Sequence, residues 1–336
     1  MKRLVLIVAL VLLATAAFAD ALDRDMLITA DGTVYSVVSE PAENGVNASL
    51  ALTVQTSGGE TIHSVLPDSV DNGINGRPTL AYDEESKTLF VMWMRLPNAT
   101  SSELLVAAYQ KETWQSAISI DYKQAVRYNF SVGITRRVRQ VQRDGAFADG
   151  PALILHAAWW EQGSGSEGPR YAVVGLGGGT VSQPDIHDLT DFVARDDTPV
   201  VVVEGTFNRD FLRHVAILNG PTPDAVDVLF ADPRTNNFYR ATLRPIADAR
   251  VRIPVGAAPT PRLGGPKANS ADWSGRTTTI TSHDGKTIIL ASIGEEKVSY
   301  VKLHDGEWSA VQQINLTGSV TAEAAMGALA RMAASE

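Results

Sequence analysis

The stretch Arg77-Pro-Thr-Leu-Ala-Tyr82, then Thr88-Leu-Phe-Val-Met-Trp-Met94, then Glu103-Leu-Leu-Val-Ala-Ala-Tyr109 decides the class of this chain. Its segments are short, rich in β-branched and aromatic residues, and separated by polar turns with no helical segment between them. Glu112-Thr-Trp-Gln-Ser-Ala-Ile118 follows as a fourth strand. Four antiparallel strands joined by tight turns over about 40–45 residues are the unit size of a propeller blade.

The same texture extends in both directions. Upstream lie Thr33–Val38, after an Asp31-Gly32 turn, and the alternating Ala48–Val54. Downstream lie Ala152–Trp160 and Arg170–Gly175, then Pro199–Val203, His214–Leu218, Ala225–Phe230 and Phe238–Leu243. A last run comprises Arg276–Thr281, Thr287–Ser292, Val298–Leu303 and Trp308–Ile314. Gly306-Glu-Trp-Ser-Ala-Val311 repeats the Glu112–Ile118 pattern. Five units follow, 22–66, 77–121, 134–188, 199–246 and 277–316, with 247–275 as a Pro- and Gly-rich connection or a degenerate sixth. The expected fold is all-β, a β-propeller of about five or six four-stranded blades spanning residues 20–318, with a short C-terminal helix in 319–336. Thr321 is the expected helix cap, and Met326, Leu329, Ala330 and Ala333 its apolar stripe.

Pro78-Thr-Leu-Ala-Tyr-Asp83 followed by Lys87-Thr-Leu-Phe-Val-Met-Trp93 resembles the opening strands of sialidase-like (BNR-type) propeller blades. The resemblance covers about two blades well and implies architecture only. That family's Asp-box is absent: in Ser282-His-Asp284-Gly285 and Leu303-His-Asp305-Gly306 the Asp directly precedes Gly, as in a hairpin turn. Arg252-Ile-Pro254 matches the family's Arg-Ile-Pro signature in letters but lies late in the chain.

The N-terminus carries an address. Lys2 and Arg3 precede the apolar run Leu4–Ala14, and Ala17-Phe18-Ala19 is a small-x-small site, the order of a secretory signal peptide over 1–19. The apolar stretch is too short to span a bilayer, so no integral membrane segment is expected after cleavage at Ala19. Losing two positive charges from a net of −9 leaves −11. That balance excludes a nucleic-acid partner, because phosphate neutralisation needs surplus Lys and Arg. The 336 residues include no cysteine, which removes disulfides, thiol nucleophiles and thiolate metal sites. A periplasmic or secreted bacterial protein is the expectation.

Candidate chemistry is sparse. Thr135-Arg136-Arg137-Val-Arg139-Gln-Val-Gln-Arg143 is the densest basic cluster, and on a strand Arg137, Arg139 and Arg143 share one face. They form either an anion site or the charged guard of an edge strand. Trp159-Trp160 places one indole on each face, and Trp160 is the candidate for stacking on a sugar or partner if it is not packed between blades. No pair among His63, His156, His187, His214, His283 and His304 has metal-ligand spacing. Asp68, Asp71, Asn72 and Asn75, and Asp185, His187, Asp188 and Asp191, supply ligand atoms without a calcium-loop pattern. No metal or cofactor is expected and catalytic residues stay unassigned. The reading is a binding or scaffolding module for a protein or carbohydrate ligand; the alternatives are a sialidase-like hydrolase or lyase, or a subunit of an envelope complex.

Overall fold

Along Ala48–Gln55, Leu50, Leu52 and Val54 are buried while their neighbours are not, the period-2 pattern of a strand with one face in a core. The computed structural model describes residues 24–41, 47–70, 72–98, 101–143, 146–163, 166–176, 184–192, 213–233, 237–245, 255–257, 262–264, 276–281, 287–304, 307–317 and 320–334. The chain divides into two compact units, Met1–Ile134 with Gln162–Gly165, and Thr135–Glu161 with Ser166–Glu336. It is all-β, with several sheets and one short α-helix among the described residues.

The first unit holds a nine-stranded sheet, A, made of two meanders. One comprises β1 (Arg24–Ile28), β2 (Val34–Pro41), β3 (Ala48–Gln55) and β4 (Thr61–Val65). The other comprises β5 (Ile74–Asp83), β6 (Thr88–Asn98), β7 (Ser101–Gln110), β8 (Thr113–Trp114) and β9 (Ile118–Lys123). Their apolar faces pack together: Val37, Leu50, Leu52 and Val54 meet Leu89, Val91, Trp93 and Leu105. The sequence presents these as separate four-stranded units, yet a parallel pair, Ala48↔Ile74, joins them into one sheet.

Asn75 fastens that seam. Its Nδ2 donates to the carbonyls of Ala48 and Ser69 at 2.9 Å each, and its Oδ1 accepts from Trp93 Nε1 at 2.9 Å. Beside it, Ser69 Oγ accepts from Leu50 N–H at 2.9 Å and donates to the Leu66 carbonyl at 2.7 Å. Gly73 enters the seam at φ +82°, where a Cβ would stand 2.5 Å from the Leu96 carbonyl oxygen.

The second unit contains three sheets. Sheet B runs in the order β10 (Val126–Arg143, whose first residues belong to the first unit), β11 (Ala146–Gly163), β12 (Ser166–Leu176), β13 (Asp185–Asp188). Sheet C comprises β14 (Val215–Asn219), β15 (Val226–Asp232), β16 (Asn237–Pro245), β17 (Val255–Ala257) and β18 (Arg262–Gly264). Sheet D comprises β19 (Arg276–Thr281), β20 (Thr287–Ile293), β21 (Lys297–His304), β22 (Glu307–Trp308) and β23 (Gln312–Asn315). Ile154, Ala158, Tyr171 and Val173 of sheet B pack on Val215, Val226, Val228 and Phe230 of sheet C.

Several expectations change. Part of the connection 247–275 is strand, because β17 and β18 both pair with β16. Trp308–Ile314 is two strands rather than one: Ser309 N–H donates to the Lys302 carbonyl and Ser309 Oγ accepts from Lys302 N–H, a side-chain bond that interrupts the ladder. The expected strand 199–203 lies outside the described residues.

The C-terminal helix α1 (Ala322–Ala334) begins where its cap residue stands. Ala324 N–H donates to Thr321 Oγ1 at 3.2 Å, and Ala325 N–H to the Thr321 carbonyl at 3.0 Å. Ala325, Leu329 and Ala333 bury against Ile289, Ala291, Val298 and Tyr300, so the helix closes a face of sheet D. Thr321→Ala should lower stability by about 1 kcal/mol; a thermal melt unchanged within error would contradict the cap.

Candidate functional site

The arginine cluster lies on β10, at one end of the strand order of sheet B. An outer strand is where charged side chains discourage pairing with another chain. The side chains of Arg137, Arg139 and Arg143 fall outside the described residues. Trp160 is different: it is 1% exposed and Trp159 is fully buried. That removes Trp160 as an outward stacking surface and makes both indoles buried packing residues.

Sheet B instead gathers a buried polar row that the sequence did not single out. Thr135 on β10, His156 on β11 and Tyr171 on β12 are hydrogen-bonded in series. His156 Nε2 lies 2.7 Å from Thr135 Oγ1, and His156 Nδ1 lies 2.5 Å from the Tyr171 hydroxyl. Tyr171 pairs with His187 of β13, whose ring is 6.3 Å away, and the His187 ring meets Phe192 at 5.7 Å. Burial pushes His156 down to about 3 and Tyr171 well up, so both are neutral at pH 7. A neutral imidazole donates from one nitrogen and accepts at the other, and one hydroxyl on each side completes the row. Such a row orders the core and carries no charge.

Arg170 is offset by one residue from Tyr171, so it projects from the other face of β12. It bonds Asp188 and lies 3.7 Å from the buried Glu161, whose Oε2 is 3.5 Å from Trp159 Nε1. Asp188 also accepts from the Thr190 N–H at 3.0 Å and hydroxyl at 2.7 Å. His187 and Asp185 approach to 3.7 Å. The Asp185–Asp191 segment, considered for metal ligation, thus spends Asp188 on an arginine and on the turn after β13.

In the first unit the oxygen-rich turn is spent the same way. Asn75 is fully buried in the seam, and Asp68 accepts from Ala117 N–H at 2.7 Å. Asp71 lies outside the described residues. Among the described residues no group of three or more His, Asp or Glu side chains gathers as a metal site.

A second ionic cluster in this unit centres on Arg127, which is fully buried. Its guanidinium donates to Asp121 Oδ2 at 2.5 Å and to the Ser102 carbonyl at 2.9 Å. Lys123 lies 3.5 Å from the same carboxylate. Arg77 has φ 55° at a β-bulge, donates to the Arg127 carbonyl at 2.9 Å and stacks 5.3 Å over the Tyr128 ring. Both ionic clusters are knit into the fold, and neither pairs a nucleophile with a base. Apolar runs such as Ala152–Trp160 read as packing; the polar residue within that run, His156, was the available signal.

No family model matches the chain, and no curated protein sequence matches it. Solved structures resemble it at low similarity, among them the following three. A NanB sialidase variant from Streptococcus pneumoniae has TM-score 0.32 and 9% identity, covering 90% of this chain and 52% of its own. The WD40 domain of SCAP from fission yeast has TM-score 0.25 and 7% identity, covering 88% and 85%. TolB from Acinetobacter baumannii has TM-score 0.27 and 10% identity, covering 87% and 79%. The chain thus spans about half the length of the sialidase.

Proposed function

We propose that this chain is exported and acts as a non-enzymatic binding or scaffolding module in the bacterial envelope, built as a propeller of five or six blades. The observation that carries export is the order Lys2-Arg3, Leu4–Ala14, Ala17-Phe18-Ala19. The blade reading is supported by successive antiparallel meanders whose strands pair mainly with sequence neighbours. A binding role is favoured because the hydroxyls beside His156, those of Thr135 and Tyr171, are buried with it away from any substrate, and the buried charges described above are tied into ion pairs. Among the described residues, no helix is long and apolar enough to cross a membrane.

N-terminal analysis of envelope material should begin at Asp20. A membrane-retained chain still carrying Met1 would overturn export. Turnover of simple aryl glycosides by the mature chain, lost on a single substitution, would overturn the non-enzymatic reading.

A further inference from the structure

Two imidazoles are sealed within the second unit. His156 has no exposed surface and sits between Ile154 and Ala158 on the sheet B face that packs on sheet C. His214 is equally buried beside β14 of sheet C, with Nδ1 3.2 Å from Thr279 Oγ1 on β19 of sheet D. One thus stands where B meets C, the other where C meets D. In the first unit the described histidine, His63, is exposed and hydrogen-bonds Thr53 at 3.1 Å.

We propose that the second unit is an acid-responsive half of the chain: protonation of His156 and His214 separates sheets B, C and D while the first unit stays folded.

The surroundings decide whether a charged imidazole could be tolerated. Around His156 the bonding groups are the hydroxyls of Thr135 and Tyr171; opposite it sheet C presents Val226, Val228, Phe230 and Tyr239, and the buried Asp232 ends the same face of β15. Glu161, Arg170 and Asp188 project from the other face of sheet B and are engaged with one another. His187 and Asp185 lie at the β13 edge. Arg213 precedes His214 in the chain, and the buried Asp232 lies two residues beyond Phe230, the register partner of Val215; farther along sheet C, at the level of Leu218, Asp227 pairs with Arg240 at 2.7 Å. On sheet D, His304 bonds Thr287 at 2.8 Å. Burial holds both His156 and His214 down at about 3.

The sign follows from linkage. An unfolded histidine takes up its proton near pH 6.5, whereas these two refuse it until about 3. Stability is therefore complete above about pH 6.5 and is lost as pH falls below it. Each histidine multiplies the opening equilibrium about tenfold per pH unit, so the pair gives about ten-thousandfold over two units. In the first unit the buried ion pair Asp121–Arg127 contains no imidazole.

Hydrogen exchange of the full mature chain, followed by mass spectrometry and corrected for intrinsic rates, tests this between about pH 7.5 and 4.5. Peptides covering 154–160, 171–174, 215–218 and 226–231 should lose protection, while 50–54, 89–94 and 104–109 keep theirs. His156→Gln with His214→Gln should flatten the dependence. If that variant does not fold, urea unfolding of the natural chain at each pH, read on the same peptides, gives the proton uptake directly. Joint loss of protection in both units, unchanged protection in the second, or uptake of fewer than about one proton would overturn the proposal.

Discussion

Replacing Asp121 by alanine is expected to cost about 3–5 kcal/mol, a large part of the stability of an ordinary domain. The reason is its partner. Arg127 is fully buried, and the substitution removes its countercharge while leaving the guanidinium where water cannot reach it. The Ser102 carbonyl at 2.9 Å and hydroxyl at 3.2 Å still accept from it, but neither supplies a negative charge. The reverse change, Arg127→Met, should cost less, because Asp121 retains Lys123 at 3.5 Å. Combining Asp121→Leu with Arg127→Met should recover most of the loss, since buried ion pairs are often replaceable by apolar side chains. Urea unfolding midpoints at pH 7 measure all three. A single Asp121→Ala loss below about 1 kcal/mol would show that the buried charge finds another partner.

Asn75→Ala should cost about 3 kcal/mol. It strands the buried Trp93 Nε1 donor and leaves the Ala48 and Ser69 carbonyls without their shared amide, and each unsatisfied buried group costs about 1–3 kcal/mol. Asn75→Asp is the sharper variant. It keeps the shape and can still accept from Trp93, but it turns an oxygen toward two carbonyls that need a donor. Its penalty should match or exceed that of alanine. If Asp proves nearly neutral, the amide is not the fastener of the seam.

What was readable in the sequence was whatever depends on local pattern. Ala48–Val54 alternates, Thr88–Met94 clusters apolar residues and Arg276–Thr281 is a β-branched run, and the observed strands cover them. Thr321 announces a helix by a rule that acts within one turn. The seam was not readable, because Asn75 in an Asn- and Gly-rich turn looks like any turn residue until Trp93 and the Ala48 carbonyl arrive from distant strands. The same holds for His156, whose partners Thr135 and Tyr171 come from flanking strands whose register no local rule sets. Trp160 illustrates the converse. Its alternation puts the two indoles on opposite faces, but alternation does not tell that both are buried.

The join at Ala48↔Ile74 bears on the order in which the first unit forms. Within each meander most strands pair with a sequence neighbour, so loop-closure entropy is small and each can nucleate by itself. The parallel pair rewards the chain only after both meanders exist. It therefore belongs to the downhill side of the folding barrier, where a weakened contact changes the unfolding rate and leaves the refolding rate almost untouched. In a stopped-flow experiment the Asn75 variants should move the unfolding limb of the chevron alone, making this seam a place where the lifetime of the native state can be tuned without slowing its formation.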